Sequence, residues 1–211
     1  MIGSVLYQIK YFGLNSATIR SIRDLRDTKP EALVFWGGSD INPGIYGHEN
    51  VACQEQDRAR DIFECALIEE CITKKIPMIG VCRGAQLLCA MLGGTLYQHI
   101  SGHGHGNHPI VLTRDICKEY AEGSVVSVSS SHHQMMKPSD KMEVIAVSKE
   151  PLSNIYVTAE GEEKTKRPEV EVAFLEQDRV RALMMQYHPE YGNPASPMGQ
   201  LTKSLVDRFI L

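Results

Sequence analysis

The sequence predicts an α/β fold: a parallel sheet with helices on both faces, extended by antiparallel strands. Three observations lead there. In the first half, short apolar runs alternate with helical patterns, as strand–helix–strand crossovers require. In the second half, β-leaning runs follow one another with turn residues between them. Between the two lies Pro77-Met78-Ile79-Gly80-Val81-Cys82-Arg83-Gly84-Ala85-Gln86, an apolar run that stops at Gly-x-Cys-x-Gly and restarts as a helix. That is the sequence form of a sharp strand-to-helix turn that presents one side chain at a sheet edge.

The elements follow in order. Residues 4–9 read as a first strand, and Asn15 or Ser16 caps a helix over 17–27 that ends before Pro30. Residues 32–36 are a buried strand running into Gly37-Gly38, and residues 39–50 are loop. Phe63, Leu67 and Cys71 recur at i+4 within a helix over 57–75, with Asp57 and Lys74-Lys75 suiting its dipole. Residues 76–81 form a strand and 83–92 a helix stopped by Gly93-Gly94. An irregular loop covers 101–109, and β-leaning runs cover 109–113, 124–129 and 142–148. Residues 153–158 and 169–175 read as a hairpin with the charged stretch 160–168 at its tip. A buried strand at 179–187 and a helix at 198–210 close the chain.

A length of 211 residues suits one domain, 1–211, and 43% hydrophobic residues suit an ordinary core. A net charge of −4 without any Lys/Arg block argues against nucleic acid as the main partner. No apolar stretch reaches the roughly 18 residues of a membrane span. The first residues lack a basic region and a cleavage site, so no signal peptide is read. Six cysteines without a C-x-x-C pair point to a reduced, cytoplasmic setting.

The candidate site residues gather around the elbow. Cys82 at a helix N-terminus gains from the macrodipole, which favours the thiolate; the alternative is a buried core cysteine. Gln186-Tyr187-His188-Pro189-Glu190 supplies a base and a carboxylate, and Pro189 keeps the segment extended, so His188 and Glu190 point the same way. Cysteine, base and orienting acid fit thiol-dependent acyl transfer. In a parallel sheet the loops after strands share one edge, which brings Gly37 and Gly38 near the elbow. The Gly38 and Arg83 backbone N–H groups are the candidate oxyanion hole. Gln86, at i+4 from Cys82, either contacts substrate or is a solvated polar residue. Ser131-His132-His133-Gln134 either lines the pocket or is a polar turn. His103, His105 and His108 are the best metal candidates, but no acidic or cysteine ligand lies nearby in sequence, and no metal or other cofactor is expected.

Together these motifs resemble the class I glutamine amidotransferase-like superfamily, and within it the peptidase C26 group of γ-glutamyl hydrolases, including γ-glutamyl-γ-aminobutyrate hydrolases. The resemblance rests on Gly37-Gly38-Ser39-Asp40-Ile41-Asn42-Pro43 with Tyr46-Gly47, on the helix start at 57–64, on the elbow with Leu92-Gly93-Gly94-Thr95-Leu96-Tyr97-Gln98, and on the 131–134 and 186–190 segments. It implies a flavodoxin-like three-layer sandwich with a mostly parallel sheet and an added antiparallel region. It also implies Cys82 as nucleophile, a His188–Glu190 pair, oxyanion donors near Gly38 and Arg83, and glutamyl recognition by Gln86, His132, His133 and Gln134, beside Gly37. The expected activity is hydrolysis of a small γ-glutamyl amide through a glutamyl thioester. The alternative is a glutaminase subunit that delivers ammonia to a separate synthetase. A second copy of the chain is a further expected partner. The resemblance departs before Gly37, where the sequence has room for only one helix between the first strand and Ala32. It also departs at Trp36, which either narrows the pocket or packs.

Overall fold

A computed structural model describes residues 1–5 and 16–211. In chain order the elements are β1 (Ile2–Val5), β2 (Ser16–Ile19), α1 (Ile22–Thr28), β3 (Ala32–Phe35), α2 (Arg58–Lys74), β4 (Met78–Val81) and α3 (Arg83–Met91). Then come β5 (Thr95–Tyr97), β6 (His99–Ile100), β7 (Asn107–Leu112), β8 (Val125–Ser129), β9 (Met135–Lys137), β10 (Glu143–Ser148), β11 (Tyr156–Thr158) and β12 (Gly161–Glu163). Strands β13 (Val170–Gln177) and β14 (Val180–Met185) and helix α4 (Pro197–Phe209) follow.

One nine-stranded sheet organises them, in the order β2-β1-β3-β4-β14-β13-β10-β7-β8. The pairings from β2 to β14 are parallel and those from β14 to β8 antiparallel. Alternation along each strand serves two cores. Leu33, Phe35, Met78, Ala182 and Met184 join Leu67, Ile68, Leu87 and Leu88 of α2 and α3 on one face. Ala32, Val34, Ile79, Leu183 and Met185 join Leu201, Leu205 and Phe209 of α4 on the other. This is the three-layer α/β sandwich with a parallel region and an antiparallel extension.

Most element bounds fall where periodicity puts them. Asp57 caps α2 by accepting from Arg60 N–H, and Lys75 ends it in the left-handed region; a side-chain cap of this kind contributes about 1 kcal/mol. Two segments differ. The helix read over 17–27 is a strand, β2, followed by the short helix α1, whose N-cap Ser21 accepts from Asp24 N–H at 3.0 Å. Among the described residues one helix, α1, lies between β1 and Ala32, as the spacing allows, and strand β2 precedes it. The cap at Ser21, not Asn15 or Ser16, decides the boundary; Asn15 lies outside the described residues, as does the part of the first strand read over 6–9.

The second difference is the hairpin. Residues 153–158 do not pair with 169–175. Strand β11 pairs with β12 and β6, while β13 pairs with β14 and β10. The reason is Asp178-Arg179, both at positive φ (52° and 67°), which form a two-residue turn and fold β14 back on β13. Trp36 packs: it is buried, and its Nε1 donates to Ser4 Oγ at 2.8 Å. Among the described residues no helix is long and apolar enough to cross a membrane.

The elbow depends on backbone approach. A Cβ on Gly84 would lie 2.2 Å from the Phe35 carbonyl oxygen, and one on Gly80 would lie 2.6 Å from Ala85. Gly84→Ala is therefore expected to lower stability by about 1–3 kcal/mol, the usual cost of overpacking. Gly104→Ala, with open space around it, is the control. Urea unfolding of the two variants checks this; equal midpoints would contradict it.

Candidate functional site

Cys82 follows β4 and is the N-cap of α3, with φ 51° and ψ −111°. A residue bearing a side chain in this region costs about 1–3 kcal/mol. Its N–H donates to the Met185 carbonyl at 2.8 Å, and its carbonyl accepts from Gln86 N–H at 3.0 Å. The residue is 5% exposed.

His188 stands just beyond β14, the strand beside β4. Its backbone N–H donates to Ser129 Oγ, and that hydroxyl donates to the His188 carbonyl, both at 2.9 Å. Tyr191 stacks on the ring, with centroids 4.3 Å apart. Nδ1 lies 2.7 Å from Glu190 Oε1. A carboxylate accepts, so Nδ1 carries the proton and Nε2 is left for the Cys82 thiol, one of the groups that raise the ring's pKa. Burial opposes the charged ring, but the hydrogen bonds to Cys82 and Glu190 outweigh it and push His188 from 6.5 up to about 10.

Gly37 and Gly38 lie against this pair. A Cβ on Gly37 would sit 2.6 Å from His188 Cε1, and one on Gly38 would sit 2.2 Å from Arg60. Arg60 is the residue that sequence reasoning missed. Its guanidinium donates to the carbonyls of Gly37 at 3.0 Å and Trp36 at 2.9 Å, and its Nε to Glu64 at 2.9 Å. Arg83, whose side chain is buried, pairs with Glu64 and with Asp61 at 2.5 Å. Asp61 also accepts from Asn42 N–H at 3.0 Å. Two arginines and two carboxylates thus close at zero charge beneath the loop. Removing one partner of such a buried set costs roughly 3–5 kcal/mol. The Arg83 side chain therefore points into the protein; only its backbone remains for an oxyanion.

The remaining candidates separate. Gln86 is buried, not solvated, and its amide donates to the Gln134 carbonyl at 3.1 Å. Gln134 donates to Cys53 Sγ at 3.0 Å, and His133 meets Asp40 at 3.0 Å, so the 132–134 turn is tied to the loop after β3. His132 faces away from this seam into a buried cluster with His103, ring centroids 4.7 Å apart. Burial depresses His132 to about 4. His103, His105 and His108 do not converge as a trio: His105 is exposed. His103 and His108 instead meet Glu169 and Glu171, acids more than sixty residues away that no local pattern links to them. All six cysteines are free.

The peptidase C26 family model matches residues 27–190. Protein NtpR of Enterococcus hirae is 30% identical over 197 residues, covering 85% of this chain and 74% of that protein. The pyrimidine-specific small chain of carbamoyl phosphate synthase from Bacillus subtilis is 28% identical over 155 residues, covering 72% and 34%. The first curated relatives are matched over 27% to 74% of their own length. The structure of PurLQS from Thermotoga maritima superposes with a TM-score of 0.65 at 13% identity, covering 98% of this chain and 97% of that one, a likeness of fold.

A proton that His188 holds up to about pH 10 when folded, and releases near 6.5 when unfolded, adds stability that is complete below pH 6.5. That contribution is lost as pH rises through about 10. NMR titration is expected to find His188 still protonated at pH values well above 6.5, and Glu190→Gln is expected to lower its midpoint. An unmoved midpoint would contradict the assigned pairing.

Proposed function

The chain belongs to the peptidase C26 family, and from that premise we propose that it hydrolyses the γ-glutamyl amide bond of a small γ-glutamyl compound. The observation that carries this is the His188–Glu190 pair, Nδ1 to Oε1 at 2.7 Å, just beyond the strand paired with the one that leads into Cys82, whose thiol helps to raise the His188 pKa. Family membership supports an amide-hydrolysing enzyme; the γ-glutamyl specificity and the residue roles are our reading.

In the proposed mechanism the Cys82 thiolate attacks the γ-carbonyl carbon, and the carbonyl electron pair moves to oxygen. Gly38 and Arg83 N–H groups receive that oxyanion. In a trans peptide the C=O and the following N–H point oppositely. Arg60, by holding the Gly37 carbonyl at 3.0 Å, turns the Gly38 N–H away from itself and fixes the donor before substrate arrives. As the oxyanion collapses, the C–N bond breaks and the His188 imidazolium protonates the leaving amine, leaving a glutamyl thioester. Neutral His188 then takes a proton from water, whose oxygen attacks the thioester. Glutamate leaves, and thiolate and imidazolium are restored. No cofactor takes part. Free thiols throughout suit a reducing cytoplasmic compartment.

The likeness to a carbamoyl phosphate synthase small chain favours a second reading, a glutaminase subunit passing ammonia to a synthetase partner. Amine release from a panel of γ-glutamyl amides, glutamine included, separates the two. Hydrolysis by the chain alone, reduced about a thousandfold or more in Cys82→Ala, is the expected result. Turnover of glutamine alone, rising only with a partner, would favour the second reading. Arg60→Met, a change at a positioning residue, is expected to lower kcat by about 100-fold with little change in KM. Unchanged kcat would contradict its role.

A further inference from the structure

We infer that His103, His132 and Glu171 form a binding site for one divalent transition-metal cation, with Zn²⁺ the best match. The three come from separate segments: the loop before β7, the turn after β8, and β13. All are buried, and their ligand atoms lie within 4.8 Å of one another.

The placement of protons carries the argument. His132 Nδ1 faces the Gln134 carbonyl at 2.9 Å. A carbonyl only accepts, so Nδ1 holds the hydrogen and Nε2 presents a bare lone pair. That Nε2 is buried with no partner. Glu169 accepts from Leu152 N–H, Ser153 N–H and the Tyr156 hydroxyl at 2.7–2.8 Å. It is therefore an ionised acceptor, and His103 Nε2, 3.0 Å away, must donate to it. In the neutral ring His103 Nδ1 is then bare as well, 3.6 Å from Glu171 Oε1. The Ser130 hydroxyl lies 3.2 Å from that Nδ1, but its one hydrogen goes to the His103 carbonyl at 2.9 Å. Glu171 Oε1 accepts from His108 at 2.9 Å, and its Oε2 is buried without a partner.

With both rings neutral, two imidazole lone pairs and one carboxylate oxygen converge within 4.8 Å. Unshared pairs so placed in a buried pocket attract a cation. Two imidazoles and a carboxylate form a zinc-type set, whereas Mg²⁺ and Ca²⁺ prefer oxygen alone. Bonds of about 2.0–2.2 Å place zinc donors about 3.3–3.6 Å apart, so the side chains need draw in by roughly 1 Å. The surroundings match what metal sites provide, since each ligating histidine gives its other N–H to a carboxylate or carbonyl and the carboxylate is itself hydrogen-bonded. A dication with Glu169 and Glu171 sums to zero charge. The buried position implies a structural ion. It would clamp the 101–106 loop and the 130–134 turn to β13, behind the carbonyl that receives Gln86. This inference does not depend on the proposed reaction.

The test is metal content by mass spectrometry after purification, then Zn²⁺ titration of the chelator-treated full chain by calorimetry, in wild type, Cys82→Ala and Glu171→Gln. One equivalent is expected in wild type and in Cys82→Ala, with binding weakened about 100-fold or more in Glu171→Gln. Co²⁺ in the site should show no thiolate charge-transfer absorption, which an ion on Cys82 would show. A folded wild-type chain that takes up no Zn²⁺ would overturn the inference, a proton then filling the gap. So would uptake lost in Cys82→Ala and kept in Glu171→Gln. The wild-type titration decides even should Glu171→Gln not fold.

Discussion

A single backbone constraint governs the site: Cys82 is held at positive φ between β4 and α3. Left alone, the residue would relax toward an ordinary conformation and the thiol would swing away. It stays because its neighbours leave no alternative. The Met185 carbonyl takes its N–H, Gln86 closes the helical turn on its carbonyl, and the glycines at 80 and 84 bring helix against sheet. The same Met185 ends β14, so the strand that pins the elbow also delivers His188 three residues later. Cys82 and His188 are thus set by one pair of parallel strands, with register Met185 to Val81.

Around that pair, separate interactions limit each remaining freedom. Ser129 grips the His188 backbone at both N–H and carbonyl, Tyr191 covers the ring, and Glu190 sets its tautomer. On the far side, Arg60 orients the Gly37 peptide while Glu64 and Asp61 hold both Arg60 and Arg83 to α2. Arg83 therefore ties the helix that begins at Cys82 to the helix that holds the Gly37–Gly38 loop. A lysine would meet both acids from one nitrogen, whereas the guanidinium holds each from a separate nitrogen of a planar fork.

Legibility in the sequence followed the range of the interaction. The elbow and the His188–Pro189–Glu190 segment are local, with glycine or proline setting the backbone, so those motifs stand out. The bounds of α2 follow from Asp57 and the 3.6-residue period. The split between β2 and α1 was obscured because Ser16-Ala17-Thr18-Ile19 carries no breaker before Ser21. The true partner of β13 was hidden because neither Asp178 nor Arg179 is a glycine, although both adopt positive φ. Arg60 and the acids facing His103 and His108 act across the fold, and no spacing rule connects them. Gln86 and His132 lie on segments that the sequence locates, yet their side chains point into the interior for reasons only packing decides.

The central claim is that Cys82 forms the covalent intermediate. Rapid quench in acid followed by intact-mass and peptide measurement, during turnover of a γ-glutamyl amide, tests it most directly. A glutamyl mass is expected on the peptide containing Cys82, transient in wild type and longer-lived in Glu190→Gln, where the base proposed to activate water is weakened. Amine released at full rate with Cys82 unmodified at every time point would contradict it.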